Sequence, residues 1–211
     1  MTVTVSPVFL FNVATGKEEP ADLLDAITEK QLADWEAEWT PELFKAMQRL
    51  HRAGVERAQW PQSRHWDWRR KAAAFQGMLG TPGFSIMCGG VTQGMMLADT
   101  VTKRCRIGSQ TGKNLVYVSF VENAPWNRKE LFDPPRYRGI GSILMRAAIE
   151  LSKEHDFKGR IGLHSLPQAN GFYANTCGMT DLGPDANYQN LRYFEMTPEQ
   201  AEAFLEKGGK A

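Results

Sequence analysis

The chain has 211 residues, 42% hydrophobic and 23% charged, with 25 Lys and Arg against 24 Asp and Glu and a formal net charge of +1. This length and composition predict one soluble globular domain with a real core and exclude a disordered or low-complexity chain. The balanced charge excludes bulk electrostatic attraction to nucleic acid or to an anionic membrane and leaves room only for a local basic patch.

The three cysteines, Cys88, Cys105 and Cys177, are too few and too scattered for a disulfide framework. No CxxC pair offers a zinc site, so no metal is expected. A reducing cytoplasm fits this usage. The opening stretch MTVTVSPVFLFNVATG lacks a basic n-region and is broken by Pro7, so it reads as a strand rather than a signal peptide. No apolar run approaches the ~20 residues of a membrane span.

In chain order, residues 3–13 are rich in Val and Phe and predict a first strand. Thr15 to Pro20 reads as a turn, followed by a helical region. Thr28-Glu29-Lys30-Gln31 is a capping-box pattern. Thr40-Pro41 places a cap residue before a first-turn proline and predicts a second helix, with Gly54 as its stop. Ser63 to Met78 predicts a third helix. Within it, Arg64-His65-Trp66-Asp67-Trp68-Arg69-Arg70 suits either a substrate-contacting wall or a helix with buried Trp and solvated Arg. The second reading is favoured, because tryptophans mostly serve packing.

From Gly83 to Thr102 the texture turns to β, with Phe84–Cys88 and Met95–Asp99 punctuated by Gly89-Gly90 and Gly94. Cys88 reads as a small core residue. Lys103 to Lys113 is loop. Leu115 to Val121 is almost continuously apolar, as expected of a strand buried on both faces. A long loop, Ala124 to Pro135, leads into Arg136-Tyr137-Arg138-Gly139-Ile140-Gly141-Ser142, which opens an amphipathic helix from Ser142 to His155. Arg160–His164 predicts a strand, Ala169–Cys177 a short helix carrying Phe172-Tyr173, and Leu191–Met196 a late strand. Thr197-Pro198-Glu199-Gln200 starts a C-terminal helix.

The glycine stretch has the chemistry of a phosphate cradle. Glycine lets the backbone turn sharply and approach a bulky anion. The first amides of the helix lack intrahelical partners, and the dipole adds positive character. Arg136 and Arg138 add charge-assisted donors. The bare pattern R-x-x-G-x-G equally suits a solvated loop capping a helix. It is neither a Walker A loop nor a dinucleotide fingerprint, because no Gly-Lys-Ser/Thr occurs and position 144 is Leu.

The order strand, loop, R-x-x-G-x-G, helix, strand, Phe-Tyr helix, strand resembles the second half of the GNAT-type N-acetyltransferases. The resemblance covers about residues 84–196. It rests on Arg136-x-x-Gly139-x-Gly141 and on Ala169-x-x-Phe172-Tyr173 followed by Gly178-Met179. It implies an α+β fold, a mixed and mostly antiparallel sheet flanked by helices, filling 1–211 as one domain. The helical region about 20–80 then forms the acceptor side. It also implies acetyl-CoA as co-substrate. Backbone amides from Arg138 through Gly139, Ile140 and Gly141 to Ser142 hold its pyrophosphate, helped by Arg136. The strand end at Glu122–Asn123 pairs with its pantetheine arm, and Tyr173 protonates the leaving thiolate. Three departures stand out: the loop is lengthened by Trp126 to Pro135, Leu166 takes a position where many members carry Asn, and the spacing from Tyr173 to Gly178 is one residue longer than common.

The residues themselves leave the general base open. Glu122 ends the best strand and alternates with Val116, Val118 and Phe120, so burial there raises its pKa and suits proton acceptance. The same carboxylate is equally read as bonded to loop amides. His164, also at a strand end, is a rival. His51, His65 and His155 read as surface or packing residues. The expected reaction is direct acetyl transfer to a primary amine of a small molecule, without an acyl-enzyme. Acetylation of a protein or aminoacyl-tRNA amine, and a non-catalytic acetyl-CoA sensor, are the alternatives. A homodimer stays open.

Overall fold

The structure, a computed structural model, describes residues 2–207. Its strands are β1 (Val5–Asn12), β2 (Lys17–Leu24), β3 (Gly83–Cys88), β4 (Val91–Asp99), β5 (Val116–Asn123), β6 (Tyr137–Arg138), β7 (Ile161–Ser165), β8 (Thr180–Asp185) and β9 (Leu191–Met196). They form one nine-stranded sheet in the order β6-β1-β2-β3-β4-β5-β7-β9-β8. The sheet is mixed: β5 and β7 run parallel, while β1–β2, β1–β6, β2–β3, β7–β9 and β8–β9 are antiparallel. The helices are α1 (Glu29–Asp34), α2 (Thr40–Arg52), α3 (Trp68–Phe75), α4 (Ile140–Glu154) and α5 (Pro198–Lys207). A five-residue π-helical stretch, Trp35–Trp39, joins α1 to α2.

The chain divides into two compact units. One holds residues up to Gly77 with Pro82–Met96 and Val121–Leu144; the other holds Met78–Thr81, Leu97–Phe120 and the residues from Met145 on. In the first unit the capping box at Thr28 forms as its residue types require: Gln31 Oε1 accepts from the Thr28 backbone N–H at 2.9 Å, and Thr28 Oγ1 from the Lys30 N–H at 3.3 Å. Asp34 Oδ2 accepts from both the amide (2.9 Å) and the hydroxyl (2.7 Å) of Thr92, and the buried Trp39 donates its indole N–H to Thr92 O at 2.8 Å. Those bonds fasten the helical run to β4. In the second unit α5 is capped by Thr197 and Gln200, and its Ala201 and Phe204 are buried.

Several expectations need correction. Thr15–Pro20 is not wholly a turn leading to helix: only the residues before Lys17 turn, and β2 follows, registered against β1 from Asn12↔Lys17 to Val5↔Leu24. Pro20 is tolerated because registered pairing of β2 with β3 covers only Asp22–Leu24, so the missing N–H is not needed at position 20. β8 was not expected. The third helix is shorter than Ser63–Met78 and begins at Trp68, where Asp67 caps it by accepting from the Arg70 amide. The short helix expected over Ala169–Cys177 does form, as one helical run from Pro167 to Thr176 whose Phe172–Thr176 part is π-helical.

Candidate functional site

The predicted cradle begins as a strand. β6 pairs with β1 through Asn12↔Tyr137 and Phe11↔Arg138, and Val13 N donates to Arg136 O at 3.0 Å. Strand alternation buries Tyr137 and exposes Arg136 and Arg138. Tyr137 is fixed at both ends: its amide donates to Asn127 Oδ1 at 3.0 Å and its hydroxyl to Glu19 Oε2 at 2.7 Å. Gly139 then takes φ +97°, a left-handed conformation that favours glycine, and α4 starts at Ile140. The first-turn amides of Ile140, Gly141 and Ser142 have no intrahelical acceptor, as at any helix start.

A second glycine places this turn. A Cβ on Gly94 of β4 would lie 2.5 Å from Ile140 Cγ2, 3.3 Å from Leu144 Cδ1 and 3.6 Å from Asn123 Oδ1. Gly94 reads in sequence as punctuation, but it sits inside β4 and lets α4 approach the strand closely. Ile140 is 2% exposed, so its side chain is an anchor and only its backbone faces the cradle's task. Asn123 reaches the same place from the end of β5. The long loop is fastened as well. Trp126 Nε1 and Asn127 Nδ2 both donate to Gln93 Oε1, at 2.8 and 2.9 Å, and Arg136 N donates to Trp126 O at 2.8 Å.

Glu122 lies in the same unit as the cradle, its side chain 8% exposed. Its partners are not loop amides. Trp68 donates its indole N–H to Oε2 at 2.7 Å, Arg128 Nη1 lies 3.3 Å from Oε1, and the Ser63 hydroxyl bonds it too. Arg128 is itself held by Ser63 Oγ at 3.0 Å and Glu130 at 2.9 Å. Burial pushes the Glu122 carboxyl above the usual carboxylate range, while Arg128, Ser63, Trp68 and Lys71 pull it back. Lys71, one helical turn beyond Trp68 on α3, sits 4.4 Å from the Trp66 ring centroid, and burial brings its ammonium down to about 8. The Trp and Arg cluster thus divides: Trp68 packs and positions Glu122, whereas Arg69 forks to the exposed Glu29 and Glu36.

Tyr173 and His164 belong to the second unit. Tyr173 is 5% exposed, beside Phe172, Phe194 and Cys177, and burial raises its phenol further above its ordinary value. Three residues before it, Asn170 Oδ1 is buried and, among the described residues, is the one such side-chain polar atom without a hydrogen-bond partner. His164, the rival base, has both ring nitrogens engaged: Tyr117 Oη lies 2.7 Å from Nδ1 and Asp185 Oδ2 3.0 Å from Nε2. It stacks on Tyr188 with 3.7 Å between centroids, and burial lowers its pKa. Such a histidine is committed to a network rather than offered to a substrate. Registered β5–β7 pairing is confined to Val116↔Ile161 and Tyr117↔Gly162, although β5 continues to Asn123 and β7 to Ser165.

No protein-family model matches the chain, and no curated protein matches it in sequence. Solved structures do match it in fold. RimJ of Mycobacterium smegmatis, solved in complex with CoA-disulfide, is 16% identical at TM-score 0.51, covering 99% of this chain and 95% of that one. A protein designated arylalkylamine N-acetyltransferase 7, from the yellow fever mosquito, is 10% identical at TM-score 0.52, covering 93% of this chain and 95% of that one. An uncharacterized Bacillus halodurans protein is 10% identical at TM-score 0.52, with 94% of each chain covered. The chain has the GNAT fold, a mixed sheet of nine strands flanked by helices.

Proposed function

We propose that the protein is an acetyl-CoA-dependent N-acetyltransferase that moves an acetyl group directly to a primary amine of a small molecule, as one catalytic domain over 1–211 acting in the cytoplasm. The observation that carries this reading is Glu122: a nearly buried carboxyl with a raised pKa, in the same unit as a glycine-turned helix start. Positive-φ Gly139, the open amides of Ile140, Gly141 and Ser142, and exposed Arg136 suit a pyrophosphate, so the residues present fit the co-substrate. Asn123 at the strand end, beside Gly94, suits an amide group of the pantetheine arm.

Acetyl-CoA supplies the activated acetyl group: the amine nitrogen bonds to the acyl carbon as the carbon–sulfur bond breaks. Glu122 takes the proton the amine must lose, and its raised pKa makes it a better acceptor than an exposed carboxylate. Trp68, Ser63 and Arg128 hold it in position. Tyr173, kept protonated by burial, returns a proton to the sulfur. The segment about 20–80, which carries α1, α2 and α3, forms the acceptor side.

The test is a screen of primary amines with acetyl-CoA, following thiol release with a disulfide reagent, on wild type and Tyr173→Phe. Turnover on at least one amine, slowed in the variant, is expected. Tight acetyl-CoA binding with no turnover on any amine contradicts the reading, and unchanged turnover in Tyr173→Phe removes the tyrosine as the acid.

A further inference from the structure

The β1–β2 hairpin presents an apolar face to solvent. Val5 is 53%, Phe9 60% and Phe11 41% exposed, and Pro7 lies between them on the same side of β1. The register sets Leu24, Asp22, Pro20 and Glu18 of β2 opposite Val5, Pro7, Phe9 and Phe11. On the other flank, β6 sets Arg138 opposite Phe11. One row across three strands therefore reads Arg138, Phe11, Glu18. The opposite side of β1 is spent inward, with Leu10 fully buried. Neither Arg138 nor Glu18 has a salt-bridge partner among the described residues. Two adjacent exposed phenylalanines flanked by unpaired charges of opposite sign are unlike the scattered apolar residues of an ordinary surface.

We propose that this face binds a second copy of the chain about a two-fold axis running along β1. Such an axis keeps the rows and exchanges the flanks. With the sheets about 10 Å apart, Phe9 and Phe11 meet their own counterparts. Arg138 on the β6 flank comes opposite Glu18 of the partner subunit, and Glu18 opposite the partner's Arg138. The patch is thus self-complementary in charge as well as apolarity, which a two-fold interface requires. An axis across the strands instead sets the β6 flank against itself and leaves Arg138 away from the acids of β2. The surface does not depend on the acetyltransferase reading.

The test is sedimentation equilibrium of the full chain, wild type against Phe9→Glu and Glu18→Arg, with far-UV circular dichroism as a fold control at these exposed positions. The wild type is expected to be a dimer. Each single variant is expected to weaken it by at least about tenfold, since central aromatic contacts and facing charges dominate such interfaces. Combining Glu18→Arg with Arg138→Glu restores association by exchanging the pair. A monomeric wild type overturns the proposal. So does a dimer indifferent to both single variants, which locates the contact elsewhere, and so does a charge exchange that fails to restore association.

Discussion

The indole N–H of Trp68 donates to Glu122 Oε2 across 2.7 Å, joining the first turn of α3 to the end of β5, 54 residues away in sequence. The acceptor is a carboxylate whose side chain is 8% exposed, so the bond is a condition for burying that charge at all. Trp68→Phe keeps the aromatic bulk and removes the donor. The expected cost is about 1–3 kcal/mol of stability, read by denaturant unfolding. Because the bond lowers the Glu122 pKa, its loss also moves the acid limb of any pH–rate profile to higher pH.

Glu122 makes a further prediction about stability. Its folded pKa is raised by burial above that of an ordinary glutamate. It therefore contributes stability that is full below the unfolded value and is lost as pH rises through the folded value. Glu122→Gln removes that dependence. Relative to wild type, the variant gains more in Tm at about pH 8 than at about pH 4, and an equal shift at both contradicts the buried, raised carboxyl.

Gly94 and Gly139 separate two causes of cradle failure. At Gly94 a Cβ meets Ile140 Cγ2 at 2.5 Å, so Gly94→Ala is expected to cost about 1–3 kcal/mol and to displace the start of α4. At Gly139 a Cβ finds nothing within 4 Å, and the penalty is the φ of +97° alone, about 1–2 kcal/mol. Isothermal titration with CoA is expected to show weaker binding in both. Only Gly94→Ala is expected to change the near-UV signal of packed aromatics nearby, such as Tyr137 and Trp126.

Asp185 tests the network that engages His164. Arg106 first, then His164, hold its carboxyl down to about 2, below that of an ordinary aspartate. A depressed carboxylate contributes stability present above the unfolded value and lost as pH falls through the folded one. Asp185→Asn is expected to flatten the fall in Tm below about pH 4, measured by thermal melts over an acid series. A wild-type acid slope retained in the variant removes Asp185 from that role.

Much of the fold is legible along the chain where pattern and burial agree. Leu191–Met196 is β9 to the residue, and the apolar run from Leu115 is β5 displaced by one at its start. Where structure comes from pairing rather than propensity, the sequence is silent. Lys17–Leu24 and Thr180–Asp185 carry Pro, Gly and acids that disfavour strands, and they are held by neighbours on the sheet. The site divides the same way. Arg136 to Ser142 is a local motif and is visible as one. Trp68, Ser63, Lys71 and Arg128 converge on Glu122 from distant segments, and no spacing rule brings them together. Asn170 is hidden for a different reason: an unpaired oxygen is a property of packing, not of sequence. Gly94 shows a third kind of gap, in which the residue is noticed but its reason, the approach of α4, needs three dimensions.

The measurement that tests the account most directly is kcat/KM for acetyl transfer to an amine from the screen, followed across pH in wild type and Glu122→Gln. General-base removal is expected to lower it about 10²–10⁴-fold and to abolish the acid limb, with acetyl-CoA binding retained. A variant that keeps wild-type kcat/KM and the same limb throughout the range contradicts Glu122 as the base.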